Sequence, residues 1–158
     1  MAERPHVRDQ LRDAVIAALR GATAAGENVH EPGPVKWSLR NLPGIEVMNG
    51  DTSVSHFQQA PMWQVRDEQV DVIAIEDAGA EGIQRRLTAL ATDIETTIAV
   101  AGELNTVVVP GTLRLASENP AVQRRHDGEL GMMRISYECR VVTTADDPTT
   151  PYPNSGLT

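Results

Sequence analysis

"RNLPGIEVMNGD", residues 40–51, opens polar, turns apolar at Leu42 and closes on Asn49-Gly50-Asp51. Pro43 favours an extended residue before it and suits the start or edge of a strand. Ile45 and Val47 flank Glu46, the period-two alternation of a half-buried strand. Asn, Gly and Asp in succession are turn chemistry. The stretch therefore predicts the entrance, body and exit of one buried strand, not a catalytic loop. Glu46 and Asp51 fall in it as scaffold carboxylates, because nothing pairs with them at a recognisable spacing.

Working outward, residues 51–62, DTSVSHFQQAPM, read as a polar loop. A second strand, WQVRDEQVDVIAI, follows at about residues 63–75. Its first half carries Arg66, Asp67 and Glu68 and reads as solvated. Its second half, Val70 to Ile75, is apolar on both parities, which predicts burial on two faces. In residues 80–101, Ile83, Leu87, Leu90, Ile94 and Ile98 recur at steps of four, three, four and four, the stripe of an amphipathic helix. A similar stripe, Val7, Leu11, Val15 and Leu19, predicts a helix over residues 7–20 that Gly21 ends. Residues 28–31 suggest a short strand before the breaker Pro32-Gly33-Pro34.

Beyond the second helix, residues 105–110 and 111–116 predict two short extended pieces, and 117–131 a polar loop with a turn at Asp127-Gly128. In MMRISYECRVV, residues 132–142, Met133, Ile135, Tyr137, Cys139 and Val141 share one face. Cys139 is accordingly expected to be a small buried hydrophobe and not a nucleophile. The order of elements predicts an α+β fold: a single domain over residues 1–144, with a mostly antiparallel mixed sheet covered by two helices. Residues 145–158, rich in Pro, Thr and Asp and without apolar periodicity, predict a disordered tail.

The 158 residues suit one domain with one core. Fourteen Lys plus Arg stand against 22 Asp plus Glu, a formal charge of −8. That disfavours a general nucleic-acid surface, where clustered cations must neutralise phosphates, and it disfavours binding to anionic lipid. The single cysteine precludes an intramolecular disulfide and fits a reducing compartment. No long apolar run follows the N-terminus and none elsewhere could span a bilayer, so neither a signal peptide nor a membrane location is expected. The chain should be made in the cytoplasm and act there, unless a particle carries it out.

No phosphate loop, GxGxxG, HExxH, CxxC or GxSxG pattern occurs. His6, His30, His56 and His126 are dispersed, without the close pair usual in zinc sites. Asp67, Glu68 and Asp71 could hold a divalent cation, but such a cluster is more often a solvated strand face. No catalytic, cofactor-binding or metal-ligating residue is assigned. "QRRHD", residues 123–127, places Arg124, Arg125 and His126 together. It could grip a phosphate or a partner's carboxylates, or be merely solvated.

With the elements in order, the chain resembles the tail terminator proteins of long-tailed bacteriophages, the family of the lambda minor tail protein U. The N-terminal "HVRDQLRDAVIAALRG" leads through a small-residue break to a short strand. "LPGIEVMNGD" looks like that family's Leu-Pro-x-Ile-x-Val strand. "WQVRDEQVDVIAIED", a long helix and a closing "MMRISYEC" follow, so that the similarity spans roughly residues 6–143. The chain departs in its Pro-rich tail and in a longer segment between Leu104 and Leu130. The resemblance implies a structural virion protein at the head-proximal end of the tail. It would form a hexameric ring that caps the finished tail tube, stops polymerisation and meets the head's connector proteins. Its partners would be further copies of itself, the major tail tube protein and the head–tail connector. DNA would pass through without specific binding, with no membrane, no cofactor and no turnover. Arg124, Arg125 and His126 would then be candidates for the subunit or tube contact. Two other readings stand beside it: another tail completion or head–tail joining protein, or a small enzymatic or ligand-binding domain with a site built from His56, Glu46 and Arg66.

Overall fold

The structure, a computed structural model, describes residues 3–57, 62–125 and 128–152. Helix α1 spans Val7–Leu19 and is capped by His6, whose Nδ1 accepts from the Arg8 backbone N–H at 3.1 Å. Its buried stripe is Val7, Leu11, Val15, Ile16 and Leu19. Strand β1, Val29–His30, runs parallel to the start of β2, Gly44–Phe57. The Asn28 side chain fixes that approach by donating to the carbonyls of Asn41 (2.6 Å) and Pro43 (2.9 Å). Leu42 is extended, as the following proline requires.

Three antiparallel pairings complete the sheet: β2 with β3 (Trp63–Asp77), β3 with β5 (Gly128–Thr144), and β5 with β4 (Arg114–Arg125). The order is β1-β2-β3-β5-β4. Helix α2, Ile83–Ala99, joins β3 to β4 through a 3-10 turn at Gly102–Thr106. The fold is thus α+β, a five-stranded mixed sheet with two helices, as the pattern of elements predicts.

One sheet face packs Ile45, Val47, Val70, Val72, Ala74, Ile135, Tyr137, Cys139 and Val141 into a single cluster with both helices. Burying each large side chain there is worth about 1.5–3 kcal/mol. On the opposite face a smaller cluster of Ile73, Ile75 and Leu130 lies under Trp37. The two clusters explain why Val70 to Ile75 is apolar on both parities. Glu46 sits at the edge of the second, where it accepts a 2.8 Å hydrogen bond from the Trp37 indole N–H.

Two segments expected to be loops are strand. Residues 51–57 continue β2 past a register shift between Asn49 and Thr52, so Asn49-Gly50-Asp51 is a bulge and not an exit turn. Thr52 to His56 lie at an end of the sheet where neither parity is deeply buried, so no apolar alternation marks them. Residues 117–125 and 128–131 likewise lie in β4 and β5, paired antiparallel, while Asp127 of the expected turn lies outside the described residues. Pro120 sits within β4, which is tolerated because that strand is an edge.

Residues 145–152, the start of the segment expected to be disordered, are held against the domain. The Val7 N–H donates to the Pro148 carbonyl (3.0 Å), and the Tyr152 N–H to Val142 (2.8 Å). The Tyr152 ring stands edge-on to Trp63 at 4.9 Å between centroids. Residues 153–158 lie outside the described residues.

Candidate assembly surface

Strand β4 is the outermost strand on its side of the sheet. From Arg114 to Val122 every side chain is exposed, on both faces, because neither helix extends over it. Leu115 and Val122 are among the exposed large apolar side chains, 43% and 64% accessible. Val100, just past α2, is 79% accessible and lines a cavity together with Leu115. A bulge between Leu115 and Ser117, together with Pro120, interrupts the outer edge of β4. Both devices discourage indiscriminate strand addition, which leaves side chains to make any contact here.

Between the end of α2 and the start of β4 is a cavity of about 490 Å³, with Ile98, Ala101, Leu113 and Leu115 among its lining residues. Tyr137 also lines it; it is 5% exposed, and its hydroxyl has no hydrogen-bond partner among the described residues. Burial, followed by the charges of Glu95 and Glu118, pushes that phenol well above its ordinary range. The Glu95 carboxyl, on α2, shares a hydrogen bond with that of Glu118, on β4. The Glu95 carboxyl is accordingly raised, first by the bond, then by burial and by the charge of Glu118.

The other sheet face beyond Trp37 is polar. An open groove of about 560 Å³ there includes Ser53, Asp67, Gln69, Arg114, Glu138 and Arg140 in its lining. Its charges are paired across strands: Arg114 with Glu138 at 3.0 Å and Arg140 with Asp67 at 3.1 Å. Deeper in, Asp71 accepts from Ser136 (2.7 Å) and Gln69 (3.0 Å). Exposed pairs of this kind add little stability, and Asp51 and Asp71 add carboxylates to the same face, so it is hydrophilic with an acidic excess.

Arg124 and Arg125 lie on the last residues of β4, in register with Glu129 and Gly128, and so belong to a strand end and not to a free loop. His126 lies outside the described residues. Asp67, Glu68 and Asp71 do not converge. Asp67 and Asp71 share the polar face, while Glu68 points the other way and is 2% exposed. Glu68 accepts from Thr52 Oγ1 at 2.6 Å and faces Arg8 at 3.7 Å, so the solvated reading of that half-strand does not hold for it. No group of three or more His, Cys, Asp or Glu able to hold a metal stands together among the described residues.

Of His56, Glu46 and Arg66, only His56 and Arg66 come together, through Gln64, which bonds His56 Nε2 at 3.1 Å and accepts from Arg66 at 2.9 Å. Glu46 and His56 are ten residues apart on β2, roughly 30 Å. Cys139 is buried, and desolvation, then Glu68 and Asp67, push its thiol up to about 12. The acid pair and the orphan phenol were not singled out in the sequence. Glu95 and Glu118 are 23 positions apart and meet only because α2 lies beside β4.

No protein-family model matches the chain, and no curated protein does. Among solved structures, it is similar to a chain described as "Virion of native gene transfer agent (GTA) particle". The two are 20% identical, and the match covers 90% of this chain and 96% of that one at a TM-score of 0.36. At that score the likeness carries no argument about role.

Proposed function

We propose that this chain is a structural component of a phage-like virion, and within that class a tail terminator. Copies of it form a hexameric ring that caps the tail tube and presents a surface for the head's connector. The observation that carries the reading is β4. Its described side chains are open on both faces, its outer edge is free of partners among the described residues, and apolar groups gather at its root. Such a surface is a liability on a solitary domain and is ordinarily covered in an assembly. The resemblance supports the specific role, since the helix, short strand, Leu-Pro-x-Ile-x-Val strand, long strand, helix and closing strand occur here in one sheet and in that order. The polar face, whose arginines are paired with acids and which carries further carboxylates, suits a lumen through which DNA slides without being gripped. The role requires no catalysis and no cofactor.

The test is deletion of the gene from a phage that carries it, with electron microscopy of the tails. Tails that overgrow and fail to join heads, restored to one length by supplying the protein in trans, support termination. Tails of normal, uniform length without the protein would overturn it.

A further inference from the structure

The segment that follows β5 is tied lightly to the domain. None of residues 145–152 is buried. On one side the Ala145 N–H donates to the Met62 carbonyl (2.9 Å), the Tyr152 N–H donates to Val142 (2.8 Å), and the Tyr152 ring meets Trp63. The remaining ties go to the first turn of α1. The Pro148 carbonyl accepts from the Val7 N–H at 3.0 Å, one of the amides that a helix start leaves without an internal partner. The Thr149 carbonyl accepts from the Gln10 side chain. On that same turn Arg8 reaches the bulge of β2: its guanidinium donates to the Gly50 carbonyl at 2.7 Å and stands 3.7 Å from Glu68, which accepts from Thr52. One helical turn is therefore the shared anchor of the C-terminal segment and the bulge. Unmet polar groups gather along this route. Arg8 Nε, Asn49 Oδ1, Glu68 Oε1 and Thr143 Oγ1 are buried and have no hydrogen-bond partner among the described residues. Groups of this kind favour any state that lets water reach them.

We propose that residues 145–152 are a latch that opens separately from the domain, and that its opening loosens the first turn of α1 and, through Arg8, the half of β2 beyond the bulge. Lifting the segment leaves the Val7 N–H without its acceptor and removes one contact of Gln10, so the turn can fray. A frayed turn no longer holds Arg8 against the Gly50 carbonyl, and the bulge loses that tie to the helix. The bulge sets the register of Thr52 to Phe57 on β3. This is the part of β2 that β1 does not flank, since β1 pairs only with Ile45 and Glu46. The order of an open sheet edge thus depends on the latch: firm when it is shut, loose when it is open. The device belongs to the single chain and stands whether or not copies assemble into a ring.

The test is residue-resolved amide hydrogen exchange on the full, dilute chain, with circular dichroism melting as the folding control. The amides of Val7, Ala145 and Tyr152 should exchange together, about tenfold or more faster than those of Ile135 to Val141 in β5. Tyr152→Ala removes the contact with Trp63 and should speed all three by a further two- to tenfold or about that. It should also speed the amides of Thr52 to Phe57 that bond to β3. In an Arg8→Ala background those β2 amides should already be fast, and adding Tyr152→Ala should speed the latch without moving them further. Should Tyr152→Ala fail to fold, Gln10→Ala weakens the latch at its other anchor and is read the same way. If the amides of Val7, Ala145 and Tyr152 exchange only at the rate of β5, the segment opens with the whole domain and is no latch. If the latch amides speed up while Thr52 to Phe57 stay unchanged in a chain that keeps Arg8, the transmission to β2 is wrong.

Discussion

Gly44 offers a sharp test of how the two faces of the sheet are closed. A Cβ built on it would lie 2.6 Å from Cη2 and 2.9 Å from Cε3 of Trp37, and closer still to Cζ3. Trp37 is 6% exposed, covers Ile73 and Ile75, and holds Glu46 through its indole N–H. In Gly44→Ala the indole must therefore move. Forcing one methyl into a packed site costs about 1–3 kcal/mol, and complete expulsion of the indole would approach the roughly 3–5 kcal/mol of a Trp→Ala change. The expected loss is about 2–4 kcal/mol. Spread over a domain of this size, that lowers the melting temperature by about 4–16 °C. Differential scanning calorimetry supplies the number, and tryptophan fluorescence reports whether the indole has moved toward water. Trp37→Leu should cost stability alone but make Gly44→Ala nearly harmless in its background, since the clash is then gone. A Gly44→Ala variant that melts within a degree or two of wild type, with unchanged fluorescence, would refute the packing described for Trp37.

Ile94, fully buried, should lose about 2–5 kcal/mol on Ile94→Ala, whereas Val100→Ala, at 79% exposure, should leave the melting temperature nearly unchanged; calorimetry compares them. Because the Glu95 carboxyl is raised in the folded chain, its contribution is fully present below the ordinary value of 4.5 and is lost as pH rises through the raised value. Melting of the dissociated chain across that window should show the decline, and Glu118→Gln should flatten it. Truncation after Thr144 should lower the melting temperature measurably, since it removes the Pro148, Thr149 and Tyr152 contacts with α1, β3 and β5. Cys139 should resist alkylation at neutral pH until the chain is unfolded, as timed labelling would show.

The core elements were legible because burial imposes a period on them. Ile83 to Ile98 must face the sheet, and Met133 to Val141 must alternate, so their spacing announces helix and strand. Where no burial is at stake the signal vanishes. Thr52 to His56 and Ser117 to Val122 are strands that face solvent, and they have the composition of loops. Asn49-Gly50 misled for a related reason: the residues that end a strand in a turn also let it bulge and continue. Tyr152 carried no periodic context, yet one aromatic contact with Trp63 and one backbone hydrogen bond dock the tail. The arginines at 124 and 125 were visible as a cluster. The nearness of Glu95 to Glu118 was not, because it arises between a helix and a strand that only the fold sets side by side.

The central claim, that this chain works as a ring, is tested most directly by the mass and shape of the purified protein. Light scattering across a concentration series, with negative-stain images of the heaviest species, should reach a plateau at six chains and show closed rings with a central channel. A single-chain mass at every concentration, with no rings on the addition of tail tubes, would contradict it.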